Sequence, residues 1–537
     1  HSLNKQIIES FYKVYVGLKS VKEKGRDSIW RFIVQNLYKP YFLSGKFDYV
    51  IGNPPWFTYS SIKNEEYQNT LNELAEIYKV KPEKVANFPH LEIAAIFLAN
   101  CSNYFLKDKG TTAFVLPRSF FSADHHDNTR SGKASGFKFS QIWDMDGVVP
   151  LFRVPSCVFF VEKYEKKSAP INGLPGLKFS GKLTEHNCNL LIASEKLKEE
   201  NAKWYYVKQG NASAISDKKT KNNVNENPYK KRFKQGATIV PRCFYFIELT
   251  QDTPKDFEDR IINIKTSEAI EADAKKPWKG LKFMGKIESK FIFRTALAKS
   301  ILPFALYKPD LVALPVLIEK NNVGKKEVTL LSAKDLMQEG YLNASKWFGN
   351  VENTWQLLRT EKNQNISSED YLNWQNKLTE QKLDAPYLVL YNSSAKDANT
   401  TVVKRVDLDL EIFIESKGYW FSTSNEMEAY YLTAILNSKV PNEKMKAFQT
   451  RGLFGARDIH KKILDVYFPR FDENNETHLK LAELSVLAHK KAKKYLEDTP
   501  PQKELSAIHL GRLRVAIKKH LSEEMKEIDK LVKRVVG

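Results

Sequence analysis

Ten residues, Phe47 to Trp56, constrain this chain more than any others: Phe-Asp-Tyr-Val-Ile-Gly-Asn-Pro-Pro-Trp. Tyr49, Val50 and Ile51 form a short β-rich apolar run that Gly52 ends. The loop that follows is stiff. Each proline fixes its own φ and lacks an N–H, and Pro54 pushes Asn53 toward an extended backbone. The result is a row of one amide side chain, the carbonyl of Pro54 and the flat indole of Trp56. Such a row suits a planar ring bearing an exocyclic amine. Asn53 and the Pro54 carbonyl accept its two N–H bonds, and Trp56 stacks on its face.

An aromatic amine is a poor nucleophile because its lone pair is delocalised into the ring. Acceptors placed out of the ring plane favour the pyramidal, transition-state form over the flat ground state. With a sulfonium methyl as electrophile, positive charge moves to the nitrogen, whose proton becomes acidic, and no dedicated histidine base is needed.

Asn-Pro-Pro-Trp after an apolar strand resembles the catalytic motif of amino-methyltransferases that use S-adenosylmethionine, above all the adenine-specific DNA methyltransferases. Glutamine N-methyltransferases share the tetrapeptide. The flanking sequence extends the resemblance to the γ-order adenine enzymes of restriction–modification and phage-defence type. The helix expected over 90–106 and Thr111-Thr-Ala-Phe-Val-Leu-Pro-Arg-Ser look like their post-catalytic segment, and Val154-Pro-Ser-Cys-Val-Phe-Phe resembles the strand that walls the base pocket. The resemblance implies a catalytic role for Asn53, Pro54, Pro55 and Trp56. It implies a base contact for Phe159 or Phe160, only one of which alternation turns toward the site.

The βαβ rhythm from 41 to about 165 predicts part of a doubly wound, Rossmann-like α/β domain, with helices over 65–79 and 89–101 and strands over 111–116, 139–145 and 156–161. A turn is expected at Lys107-Asp-Lys-Gly110. Residues 1–40 read as helical, with Ile7, Ile8, Phe11, Val14, Tyr15 and Leu18 on one apolar face. The family's Gly-rich cofactor loop should lie upstream of the motif and is not found. Gly173-Leu-Pro-Gly176 lies downstream and follows no strand into a helix. S-adenosylmethionine is therefore the expected cofactor, with its loop expected before His1 in a longer parent chain or on a partner subunit. The opening His1 in place of Met reads as a fragment or a processed chain.

His125 and His126, flanked by Asp124 and Asp127, invite a metal. Adjacent residues on an extended chain point opposite ways, and no third ligand set is spaced to close a site. The loop reads as polar and DNA-facing, and no metal is expected.

Formal charge is +20, which points to a polyanionic partner, duplex DNA in this context. Four scattered cysteines suggest a reducing cytoplasm without disulfides or a zinc module, and no apolar run approaches membrane-spanning length. From 166 to 470 short β-rich stretches alternate with polar loops. Glu428-Ala-Tyr-Tyr-Leu-Thr-Ala-Ile-Leu-Asn-Ser with Arg451-Gly-Leu-Phe-Gly-Ala-Arg457 after it resembles the target recognition domains of restriction–modification proteins, which implies an α+β DNA-specificity domain here. Basic runs over 217–223 and at Tyr229-Lys-Lys-Arg-Phe-Lys suit phosphate. Strands are expected over 386–391 and 419–422, and Thr423-Ser-Asn-Glu426 reads as a capping box opening a helix to Leu436. Arg118, Lys230, Lys231, Arg232, Arg451 and Arg457 are the candidate DNA contacts. The tail, 471–537, reads as helical, with Leu481, Leu484, Leu487 and Ala488 on one stripe and a break at Pro500-Pro501.

These features predict a methyltransferase domain over 1–165, a recognition domain over 166–470 and a helical tail. The expected reaction is methyl transfer to N6 of a flipped adenine, with further subunits or upstream domains of a defence complex as partners. Two alternatives stay open: a protein-glutamine or RNA methyltransferase, or a DNA specificity module idle without its cofactor half. No nuclease signature of the Pro-Asp…Glu-x-Lys kind stands out, so no cleavage is expected of this chain.

Overall fold

The computed structural model describes residues 5–25, 39–219, 225–250, 257, 260–452, 455–456, 459–503 and 505–537. It divides into two compact units. The first comprises His1–Lys208, Ser213–Thr220 and Thr450–Leu453, and the second the remainder. No helix among the described residues is long and apolar enough to cross a membrane.

The first unit opens with α1 (Lys5–Glu23). Its expected apolar face, Ile8, Phe11, Val14, Tyr15 and Leu18, is exposed, and positions 26–38 of the expected helix lie outside the described residues. Then follow β1 (Phe47–Gly52), α2 (Glu65–Ile77), α3 (Ala94–Phe105), β2 (Leu106–Pro117), β3 (Gly136–Val149), β4 (Ser156–Tyr164), β5 (Asn172–Lys182), β6 (Leu197–Gln209) and β7 (Ala212–Ser216). Asn64 caps α2 by accepting from the Tyr67 N–H at 2.8 Å, and Glu65 and Glu66 in the first turn suit the helix dipole. Leu71 and Ala75 on its inner face are buried.

The seven strands lie in the order β1-β2-β4-β3-β5-β6-β7. The class is mixed α/β, but the parallel sheet expected through residue 165 holds only where β1 joins β2 and where β3 joins β5. β2–β4 and β4–β3 are antiparallel; for β3 and β4 the short 150–155 connection cannot carry the crossover that parallel neighbours need. The expected turn at Lys107–Gly110 is a bulge: the register jumps from Phe47 opposite Leu106 to Tyr49 opposite Thr111, and Lys109 takes φ +67°. α3 packs across β2, β3 and β4, and Leu98, Phe114, Leu116, Phe121, Phe137 and Phe159 fill the core between them.

In the second unit a six-stranded sheet built from residues 246–414 packs on the helix Leu342–Leu358. A four-stranded sheet contains β8 (Tyr387–Asn392), β9 (Thr400–Lys404) and β10 (Gly418–Thr423). Against it lie α4 (Glu426–Asn437), α5 (Glu476–Asp498), α6 (Ala507–His520) and α7 (Ser522–Val536). The cap of α4 is Asn425 rather than the expected Thr423. Asn425 accepts from the Glu428 N–H at 2.9 Å, while Thr423 still belongs to β10 and donates to the Glu428 carboxylate at 2.6 Å. On α5, Leu481 and Ala488 are buried as expected, but Leu487 is exposed, and the stripe continues through Ala492 and Leu496 instead.

Candidate active site

β1 is the outermost strand of its sheet, with Tyr49 72% and Ile51 82% exposed. Its carboxyl end delivers the stiff loop. Asn53 and Pro55 are exposed, Pro54 is buried and Trp56 is half-buried. The Trp56 Nε1–H donates to the Val115 carbonyl of β2 at 3.2 Å, so the neighbouring strand sets the indole plane. The ring facing it is Phe152, with centroids 5.0 Å apart and planes at 58°. Phe152 precedes β4 and is 39% exposed.

That arrangement corrects the expectation for the base pocket. Phe159 is fully buried, with Phe139 at 5.2 Å and Phe120 at 5.7 Å between centroids. Phe160 points to the other face and packs on Trp143 at 4.7 Å. Neither ring neighbours Trp56; the aromatic partner comes from the loop before the strand.

The backbone behind the loop is pinned by α3's leading segment. The Tyr59 N–H donates to the Leu91 carbonyl at 2.8 Å, the Ile93 N–H to the Phe57 carbonyl at 2.9 Å, and Thr58 and Glu92 form an antiparallel bridge. The Glu92 side chain is a hub. Its Oε1 accepts from Ser119 Oγ at 2.7 Å, and its Oε2 faces Nε2 of both His125 and His126, at 2.6 and 2.7 Å. Burial pushes the Glu92 carboxyl up, but the two imidazoles outweigh it and hold the group well below the usual carboxylate range. Burial lowers His126 against the pull of Glu92. Asp124–His126 is a 3-10 turn, not extended chain, and a third group arrives from Glu92.

Asp127 is engaged elsewhere. It accepts from the Tyr206 hydroxyl at 2.8 Å and from Ser213 Oγ. Arg130, completely buried, donates to Ser213 Oγ at 2.7 and 3.0 Å and to the Ala123 carbonyl at 2.6 Å. Burial depresses its guanidinium to about 10, against the opposing field of Asp127.

The candidate DNA contacts separate by what already holds them. Arg118 forms a bidentate pair with Asp144, both bonds 2.9 Å, and lies over the Phe121 ring at 4.6 Å. A phosphate would have to displace a buried carboxylate. Arg451 pairs with Asp146, which also lies 3.9 Å from Arg118. Lys230 is bound to the buried Asp465. Lys231 is exposed beside Glu226 at 3.4 Å. Arg232 lies over Phe421 at 4.6 Å and donates to Glu428 at 3.4 Å, with its side chain 42% exposed. Arg457, and positions 220–223 of the other basic run, lie outside the described residues. Gly173 to Gly176 lies within β5, where a Cβ on Gly176 would strike the Ile142 carbonyl and Trp204. Its glycine is a packing device, and no Gly-rich turn from strand into helix is found among the described residues.

Residues 3–152 match the family described as Eco57I restriction-modification methylase. The chain has no significant match among curated proteins. Among solved structures it is similar to the Type IIL restriction-modification enzyme MmeI in complex with DNA. That match has 12% identity and a TM-score of 0.52, over 91% of this chain and 54% of that one. It is also similar to the DrdV–DNA complex (13% identity, TM-score 0.39, 86% of this chain and 46% of that one). A nuclease-deletion mutant of the Type ISP enzyme LlaGI with a DNA substrate mimic matches at 12% identity and TM-score 0.40, over 82% and 41%. The MmeI likeness is one of fold. This chain spans about half the length of the proteins it resembles.

Proposed function

We propose that this chain carries the methyl-transfer loop and a DNA-reading region of a restriction–modification DNA methyltransferase acting on N6 of a flipped adenine. The observation that carries this reading is the end of β1. There an exposed Asn53 lies three residues before Trp56, whose indole is paired with the half-exposed ring of Phe152. Asn53 and the Pro54 carbonyl accept the two amine hydrogens and hold the nitrogen lone pair toward the electrophile. The Trp56–Phe152 pair presents the apolar aromatic surface on which the flipped ring stacks. The amine proton leaves after transfer, when the nitrogen carries positive charge. S-adenosylmethionine, the donor the family match implies, supplies the electrophilic methyl group when bound. We assign completion of its site to the open edge of β1, where Tyr49 and Ile51 present apolar surface. Among the candidate cations, we assign backbone contact to Lys231, Arg232 and Arg451, and positioning roles to Arg118 and Lys230.

The test uses this chain and duplex DNA with 2-aminopurine at the target adenine of its recognition site, located by footprinting. Base flipping raises the fluorescence of 2-aminopurine, and the rise should shrink in Trp56→Ala. No rise for the wild-type chain at saturating DNA overturns the reading.

A further inference from the structure

We propose that Glu92, His125 and His126 form a divalent transition-metal site, suited to Zn2+, that braces the loop after Trp56. Two imidazole nitrogens and one carboxylate oxygen are a donor set that Zn2+ takes in three-ligand sites. Here both Nε2 atoms already converge on Glu92 Oε2 at 2.6 and 2.7 Å, and the potential ligand atoms all lie within 4.8 Å of one another. A tetrahedral ion about 2.0 Å from each donor sets neighbouring donors roughly 3.3 Å apart. Side-chain shifts of under ~1 Å reach that geometry from the present positions.

The surroundings orient the ligands. Ser119 Oγ donates to the other carboxylate oxygen of Glu92 at 2.7 Å, the outer-shell bond that aims a ligating carboxylate. The His126 ring lies on Phe120, with centroids 3.7 Å apart and planes at 20°. Its Nδ1 is buried without a partner, so stacking rather than an outer hydrogen bond fixes this imidazole. Glu92 and His125 each keep a partly exposed side, which leaves a fourth position to water. Asp127 is not available, being held by Tyr206 and Ser213.

The place in the fold defines the role. Glu92 is bridged through its backbone to Thr58, two residues beyond Trp56, while Ser119 follows β2 and the histidines follow the next turn. An ion here joins three segments that meet behind the Asn53–Trp56 loop. The assignment is structural and holds whether or not the methyl-transfer reading is right.

The experiment is titration of the chelator-treated chain with Zn2+ alone, against a chromophoric competitor, with Co2+ as a spectroscopic substitute. One equivalent of Zn2+ should bind, with a rise in thermal midpoint, and Co2+ should show the visible bands of a four-coordinate site. Glu92→Gln and His125→Asn should each weaken binding at least ~10-fold, while His90→Asn, an exposed histidine on the same segment, should not. His126 is left unaltered because its burial makes a folding failure the expected result. Absence of stoichiometric Zn2+ binding overturns the site. So does binding unchanged in both variants, or Co2+ bands that persist in Glu92→Gln.

Discussion

At the end of β1, Asn53 has no tertiary task that would require an amide: it is exposed, whereas Pro54 beside it is buried. Asn53→Ala should therefore fold normally and bind DNA within about 2-fold of the parent. It should slow single-turnover methylation by roughly 10²–10³, the usual cost of one transition-state hydrogen-bond partner. Quantifying N6-methyladenine in quenched reactions checks this, and an unaltered rate would remove Asn53 from the mechanism. The three phenylalanines behave differently. Phe152→Ala removes half of the Trp56–Phe152 pair and should weaken binding to DNA with a mispaired target by about 1–3 kcal/mol, the worth of one stacked base. Phe159→Ala empties a core position and should instead cost about 3–5 kcal/mol of stability. Alternation along β4 says that Phe159 and Phe160 face opposite ways. It cannot say that the ring reaching Trp56 comes from the preceding loop, where no periodicity points at Phe152.

At the scale of elements, the turn after Phe121 depends on one buried cation. Arg130 ties the Ala123 carbonyl and Ser213 of β7 together, and Asp127 completes the group. Arg130→Met should leave the ionised Asp127 without its cation and its neighbours without their donors. A loss of about 3–5 kcal/mol follows, read as a lower urea midpoint for the first unit. An unchanged midpoint would show that the network contributes nothing. The cap of α4 makes a smaller claim: Asn425→Ala should cost about 1 kcal/mol and Thr423→Val less. Helix signals were legible here to within a turn. The sequence pattern places a polar cluster before the helix, but which of its members is the cap depends on where β10 ends, and cross-strand pairing decides that.

For the whole molecule, the charge of +20 predicts DNA binding that weakens steeply with salt. Lys231→Ala and Arg232→Ala should each reduce the slope of log affinity against log salt by about 1, whereas Lys230→Ala, which removes the partner of Asp465, should chiefly destabilise. Acid should weaken the second unit. His489 is half-buried, donates from Nδ1 to the Ser485 carbonyl at 2.7 Å and accepts from the Val402 N–H through Nε2 at 3.0 Å. The ring must therefore be neutral, and burial lowers its pKa from 6.5 to about 4. The unfolded chain thus binds the proton first. The stability contribution is complete above about pH 6.5 and is lost as pH falls toward about 4, on the order of 3 kcal/mol in total. Denaturant melts between pH 7 and 4 check this, and His489→Gln should flatten the dependence.

The local sequence by itself determined the strand that ends at Gly52, the stiff Asn-Pro-Pro-Trp loop after it and the helices Glu65–Ile77, Ala94–Phe105, Glu426–Asn437 and Glu476–Asp498, but not Leu342–Leu358. Proline dihedrals, apolar periodicity and capping chemistry act over a few residues. Only the tertiary structure decided which strands run antiparallel, that Phe152 faces Trp56, that Arg118 is spent on Asp144, and that Glu92 meets two histidines more than thirty positions away. Those outcomes depend on which surfaces are buried against each other. Burial decides which charges must be paired, and pairing partners can come from any point along the chain.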